Sequence, residues 1–122
     1  MPNITNIEFY TLDLGTIVAS GNSVSSAVDL RTYDCNHRFS VQSTVTADGT
    51  DAPEYKIEYL CSNDGTNFVV AAGGSEIATG QVKGTIIPTT FTPPLCGWLK
   101  LKVTETGGSK DITGCILTLA VQ

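Results

Sequence analysis

Apolar and polar residues alternate most clearly in four stretches of the chain. In 55–61, Tyr55, Ile57, Tyr59 and Cys61 fall on one side, and Lys56, Glu58 and Leu60 fall on the other. A repeat of two is the repeat of a β-strand. In 97–106, Leu99, Leu101 and Val103 oppose Trp98, Lys100, Lys102 and Thr104, and in 112–121 Cys115, Leu117, Leu119 and Val121 share a face. In 35–46, Phe39, Val41 and Val45 share the parity of Cys35 and His37, with Arg38, Ser40, Gln42 and Thr44 opposite. One buried face and one wet face is what an antiparallel sheet allows. Ser62-Asn-Asp-Gly-Thr-Asn67 follows the first stretch. Asn, Asp and Gly tolerate positive φ, so these residues predict a turn, with Phe68, Val69 and Val70 starting the returning strand of a hairpin.

Weaker patterns fill the rest. Residues 3–20 carry Ile4, Ile7, Phe9, Leu12, Leu14, Ile17 and Val18 around Gly15, which predicts two strands or one kinked at the glycine. Val24, Val28 and Leu30 mark a strand over 24–32, and Val82, Ile86, Ile87, Thr89 and Thr90 mark another over 81–91, with Pro88 at an edge or bulge. Breaks fall at 20–23, 47–53, 71–75, 92–94 and 106–110, all rich in Gly, Asp, Ser or Pro. No segment sustains a helical repeat. The expectation is one all-β domain over 1–122, an antiparallel β-sandwich of jelly-roll type with about seven or eight strands.

A chain of 122 residues, 41% hydrophobic and 16% charged, suits a packed core. Seven Lys and Arg against 12 Asp and Glu give a net charge of −5, which argues against nucleic acid or anionic lipid as partner. The N-terminus MPNITNIEFY has neither a basic region nor an apolar core of signal-peptide type, and no apolar run is long enough for a membrane span. Synthesis and folding in a cytoplasm are expected. Cys35, Cys61, Cys96 and Cys115 allow three pairings into two disulfides; buried free thiols are the expected state in a reducing compartment.

Candidate chemistry is sparse. His37 is the one histidine and shares the parity of Phe39 and Val41, which predicts a structural role. The cysteines lack CxxC spacing, so no zinc site is expected. Asp48-Gly-Thr-Asp51 and Asn63-Asp-Gly-Thr-Asn67 offer oxygen ligands of the kind calcium takes, and equally the side-chain acceptors of ordinary Asx turns. Trp98, beside Lys100 and Lys102 and opposite Leu99 in parity, suits internal packing, an interface pocket or a sugar platform. With one His and scattered acids, no acid–base pair is recognisable and no enzyme or cofactor is expected.

The order of motifs carries a resemblance over residues 55–121. Tyr55-Lys-Ile-Glu-Tyr59 leads to Ser62-Asn-Asp-Gly-Thr-Asn-Phe68. Pro93-Pro-Leu-Cys-Gly-Trp-Leu-Lys-Leu-Lys-Val103 follows, then Thr106-Gly-Gly and Ile112-Thr-Gly-Cys-Ile-Leu-Thr-Leu-Ala120. The pattern resembles the small β-sandwich virion proteins of tailed phages, the capsid decoration (cement) and head-fibre or tail-associated group. It also resembles discoidin-like carbohydrate-binding modules, but Phe68 stands where those carry Trp and the N-terminal part is short. The phage resemblance implies a non-enzymatic structural protein on the outer capsid surface that binds across joints of the major capsid protein lattice. Made in the host cytoplasm, it would also associate with itself, as a trimer by that resemblance. A sugar- or receptor-binding module of a tail or fibre is the alternative. The interface candidates are Trp98, Lys100, Lys102 and, on an N-terminal arm over residues 1–10, Ile4, Ile7 and Phe9. The same ten residues equally suit a first strand paired within the protomer.

Overall fold

The computed structural model describes residues 7–31, 38–45, 54–70, 74–81, 88–108 and 110–122. Ile4, the rest of residues 1–6, Cys35, His37 and the Asp48–Asp51 loop lie outside them. The alternating stretches become strands whose apolar parity faces inward. In chain order the strands are β1 (Glu8–Ile17), β2 (Asn22–Val24), β3 (Val28–Asp29), β4 (Phe39–Thr44), β5 (Tyr55–Ser62), β6 (Glu76–Gln81), β7 (Thr89–Phe91), β8 (Trp98–Glu105) and β9 (Ile112–Val121). Every pairing is antiparallel.

Two sheets form, in the orders β1-β9-β4-β7 and β2-β8-β5-β6, with β3 also on β8. They are called here the first and the second sheet. The pairings nest, with β5 on β6, β4 on β7, β2 and β3 on β8, and β1 on β9. The chain is therefore one long antiparallel ribbon with its tip between β5 and β6, wound so that successive segments fall in opposite sheets.

The core lies between the sheets. Ile112, Leu117, Leu119 and Val121 of β9 and Leu99, Leu101 and Val103 of β8 are fully buried, and Val41 and Ile57 nearly so. Burying one such side chain is worth about 1.5–3 kcal/mol. One polar pair inside is matched. The Tyr55 hydroxyl and Ser43 Oγ, both buried, share a 2.7 Å hydrogen bond from β5 across to β4, and burial raises the tyrosine's pKa. Near β7, Phe91 stacks on Tyr59 at 5.4 Å and meets Phe39 at 5.5 Å, tying the two sheets at one side.

Several local expectations change. Residues 3–20 give one strand in the described part, kinked where expected. Gly15 (φ +64°) sits at a register shift against β9, close to a second left-handed glycine, Gly114 (φ +63°). The strand over 24–32 is broken in two. Buried Ser25 accepts the Leu101 N–H on its Oγ at 3.0 Å while its own N–H donates to the Leu101 carbonyl at 2.8 Å, so its side chain occupies a ladder position. The returning strand after Ser62–Asn67 reduces to one bridge, Cys61 with Val69. β5 instead takes β8 on one side and β6 on the other. Glu76–Gln81 holds only Ile77 and Ala78 as apolar residues, too weak a pattern to announce β6.

Candidate functional site

The two sheets present very different outer faces. On the first, the register sets three rows side by side: Phe9, Ala120, Ser40 and Thr90; Thr11, Thr118 and Gln42; Asp13, Ile116 and Thr44. All lie on the parity opposite the core residues, and all are exposed or half-buried. Asp13 is the single ionisable group among these positions, and its Oδ1 accepts the Gly15 N–H at the kink. Phe9 is 67% exposed at the open edge of the sheet. Short hydroxyl and amide side chains dominate this face, and Asp13 is the one carboxylate among these positions.

On the second sheet, Lys56, Glu58, Lys100, Lys102 and Trp98 point outward. Most of these groups already have partners within the chain. The Arg31 guanidinium lies 4.2 Å from the Trp98 ring centroid and is gripped by Asp29 through Nε (3.0 Å), Nη2 (2.9 Å) and its backbone N–H (2.9 Å). Those hydrogen bonds hold the Asp29 carboxyl down to about 2 and raise the guanidinium further. Gly65, at φ +75°, passes so close to the indole that a Cβ there would lie 3.1 Å from the ring. Lys100 Nζ sits 4.3 Å from the Phe68 ring centroid, and Lys56 reaches Glu58 at 3.6 Å.

The predicted interface residues thus separate. Trp98, Lys100 and Lys102 come together on the second sheet, whereas Phe9 lies on the opposite outer face of the sandwich, with Ile7 just before its strand. Glu8, Phe9 and Tyr10 pair with Val121, Ala120 and Leu119, so these three residues of the expected arm are the start of β1.

The Ser62–Asn67 turn is an Asx network. Asp64 Oδ1 accepts from Ser62 Oγ (2.9 Å) and from the Thr66 and Asn67 N–H groups (2.8 Å each), and Oδ2 accepts from Asn67 Nδ2 (2.8 Å). The backbone bonds, the Asn67 N–H foremost, hold this carboxyl well below the usual carboxylate range. Among the described residues no three His, Cys, Asp or Glu side chains cluster as a metal site.

Two features escaped the pattern of residues. Glu105, on the core parity of β8, is buried; its carboxylate accepts the Ser20 N–H at 2.7 Å and the Gly108 N–H at 2.9 Å, joining two turns. Four core-parity positions ending in a carboxylate next to Thr106-Gly-Gly were the available signal. Beside the Asx turn, an open groove of about 430 Å³ is lined by Cys61, Asp64, Val69, Pro94, Leu95 and Cys96, among others. No parity argument could bring residues 61 and 96 to one wall.

No protein-family model matches the chain and no curated protein matches it. Among solved structures the chain is similar to the SPBc2 prophage-derived protein YomS, at 12% identity over the whole of both chains with a TM-score of 0.45. It is similar to a protein in the structure of infectious bursal disease virus, Gx strain, at 12% identity over 96% of this chain and 33% of that one, TM-score 0.49. It is also similar to the CBM22-1–GH10 modules of Clostridium thermocellum xylanase 10B, at 15% identity over 92% of this chain and 26% of that one, TM-score 0.49. Identities and scores this low carry nothing about role.

Proposed function

We propose that this protein is a non-enzymatic jelly-roll component of a phage particle, a decoration protein that lays the outer face of its first sheet on the major capsid protein shell. The observation that carries the reading is the contrast between the two outer faces. Ten adjacent positions on the first sheet hold one ionisable group in a chain of net charge −5. Depletion of charge at the centre of a contact is what separates interface cores from ordinary surface. Phe9 at one end supplies a large apolar anchor of the type that dominates binding energy. The sequence resemblance supplies the partner, and the nested ribbon of strands agrees with the jelly-roll winding it implies.

The mechanism is mechanical. A subunit lying across a joint between shell proteins would bury roughly 1,200–2,000 Å². Contacts to more than one neighbour act together, so a subunit leaves only when several break at once. If the face fits the joint of the mature lattice and not that of its precursor, binding biases the shell toward the mature form by that difference in affinity. Copies of this chain associating as a trimer would multiply the effect. Nucleic acid, membrane and cofactor have no part in this reading.

Quantitative mass spectrometry of purified particles of the source virus tests it. A copy number comparable to that of the shell protein supports decoration. A handful of copies moves the protein to the tail or portal, where the sugar- or receptor-binding alternative gains. Absence from the particle ends the virion reading.

A further inference from the structure

Three of the cysteines, Cys61, Cys96 and Cys115, are free and buried. Cys115 sits in the core, fully buried, with its thiol pushed up to about 11 by desolvation and by Asp13. Cys61 and Cys96 are different. Each is only 7% exposed, yet both line the wall of the same open groove, and the Cys96 thiol lies near enough to bear on the ionisation of Cys61. The backbone holds them there from both sides. The Cys61 N–H and carbonyl both bond to Val69 at 3.0 Å. Gly97, next after Cys96, donates its N–H to the Ser62 carbonyl at 3.0 Å and to Asn63 Oδ1 at 3.2 Å. The chain from 61 to 98 is a long excursion whose two ends are therefore already fixed side by side.

We infer that Cys61 and Cys96 are a reversible redox pair that closes to an intramolecular disulfide across the floor of this groove when the protein meets an oxidising medium. The co-reactant is a low-molecular-weight disulfide small enough for the groove, of which oxidised glutathione is the type. One thiol loses its proton and attacks a sulfur of the small disulfide, forming a mixed disulfide and releasing one small thiolate. The second thiol loses its proton and displaces the remaining small thiolate, forming the Sγ–Sγ bond. The protein gives up two electrons and two protons, and the small disulfide takes both to become two thiols. With the neighbouring backbones hydrogen-bonded between Gly97 and Ser62 and both thiols on one groove wall, side-chain rotation brings the two sulfurs to the bonding distance of about 2 Å. Burial, together with the Cys96 thiol, pushes Cys61 up to about 12, so the exchange is slow at neutral pH and quickens as pH rises. Closing a loop of this length constrains the unfolded chain strongly, so the bridge stabilises the β5–β8 end of the sandwich. The inference does not depend on the proposed place in a virion.

The four cysteines fall in separate tryptic peptides, 32–38, 57–83, 84–100 and 111–122, which makes the pairing readable. The full chain is incubated with oxidised glutathione at pH 8, alkylated under denaturing conditions and digested without reductant. The expected product links 57–83 to 84–100, and the melting midpoint of the oxidised protein rises by about 10 °C, reversibly with dithiothreitol. Cys96→Ser removes both effects, and Cys35→Ser leaves both. Should Cys96→Ser fail to fold, the linkage map of the unaltered chain decides by itself. Full alkylation of all four cysteines, a stable mixed disulfide with glutathione, or a bridge to Cys35 overturns the inference.

Discussion

The two outer faces of this sandwich share one core and almost nothing else. The first sheet shows small uncharged side chains in regular rows, and Asp13, its one carboxylate, is spent on the kink at Gly15. The second carries Lys56, Glu58, Lys100, Lys102 and the chain's one tryptophan, most of them tied to partners in the same molecule. A charged surface with internal partners is already solvated and satisfied, and covering it means breaking those contacts. A surface with one carboxylate among ten positions has fewer charges to desolvate when covered. Two of the residues that look most like an interface in the sequence, Trp98 and Lys100, are therefore already engaged within the protomer.

That contrast can be broken at different depths. The largest effect belongs to the shared core. Leu101→Ala empties a fully buried position of β8 and should cost about 2–5 kcal/mol in urea unfolding, disturbing both faces together. Next is Glu105→Ala, which removes the buried carboxylate that accepts the Ser20 and Gly108 N–H groups; a loss of about 1–2 kcal/mol is expected, with Glu105→Gln recovering part of it. Gly65→Ala addresses the second face alone. It forces a Cβ into left-handed backbone and toward the indole, for about 1–2 kcal/mol, and the emission of Trp98, the sole tryptophan, should shift with it. Thr118→Glu addresses the first face alone. It should change stability by no more than about 0.5 kcal/mol in the free protein, yet weaken docking to shells roughly tenfold or more, because the new carboxylate would be covered without a partner. The smallest effect is in pH. The Asp64 and Asp29 carboxyls both titrate below their ordinary range in the fold, so their contribution is present above the ordinary carboxyl range of about 4 and is lost as pH falls through about 2 for Asp29 and lower still for Asp64. Melts of the unaltered chain and of Asp64→Asn should run parallel from pH 7 to 5 and converge below pH 4.

The fold was legible where one parity is buried and the other is wet. Tyr55–Ser62, Trp98–Glu105 and Ile112–Val121 show that alternation in the residues and again in their burial. It failed where a strand has little apolar content, as in Glu76–Gln81, and where a single buried serine replaces a ladder bond, as at Ser25. The turn at Ser62–Asn67 was legible because its residues carry their own hydrogen-bonding chemistry, but its return strand was not, since β5 finds better partners in β8 and β6. The face proposed for docking was hidden for a different reason. It is assembled from β1, β9, β4 and β7, which are scattered along the chain, and its defining property is an absence of charge that appears only when the strands are laid side by side. The meeting of Cys61 with Cys96 is likewise a product of topology.

The central claim, that the first sheet is the docking face, is tested most directly by a paired binding measurement on shells stripped of this protein. Thr118→Glu with Gln42→Glu on one face is compared with Lys100→Glu and Lys102→Glu on the other, each variant first shown to melt as the unaltered chain does. Co-sedimentation should be lost for the first pair and kept for the second. Retained binding by the first pair, with loss confined to the lysine pair, would contradict the account and return the interface to the face around Trp98.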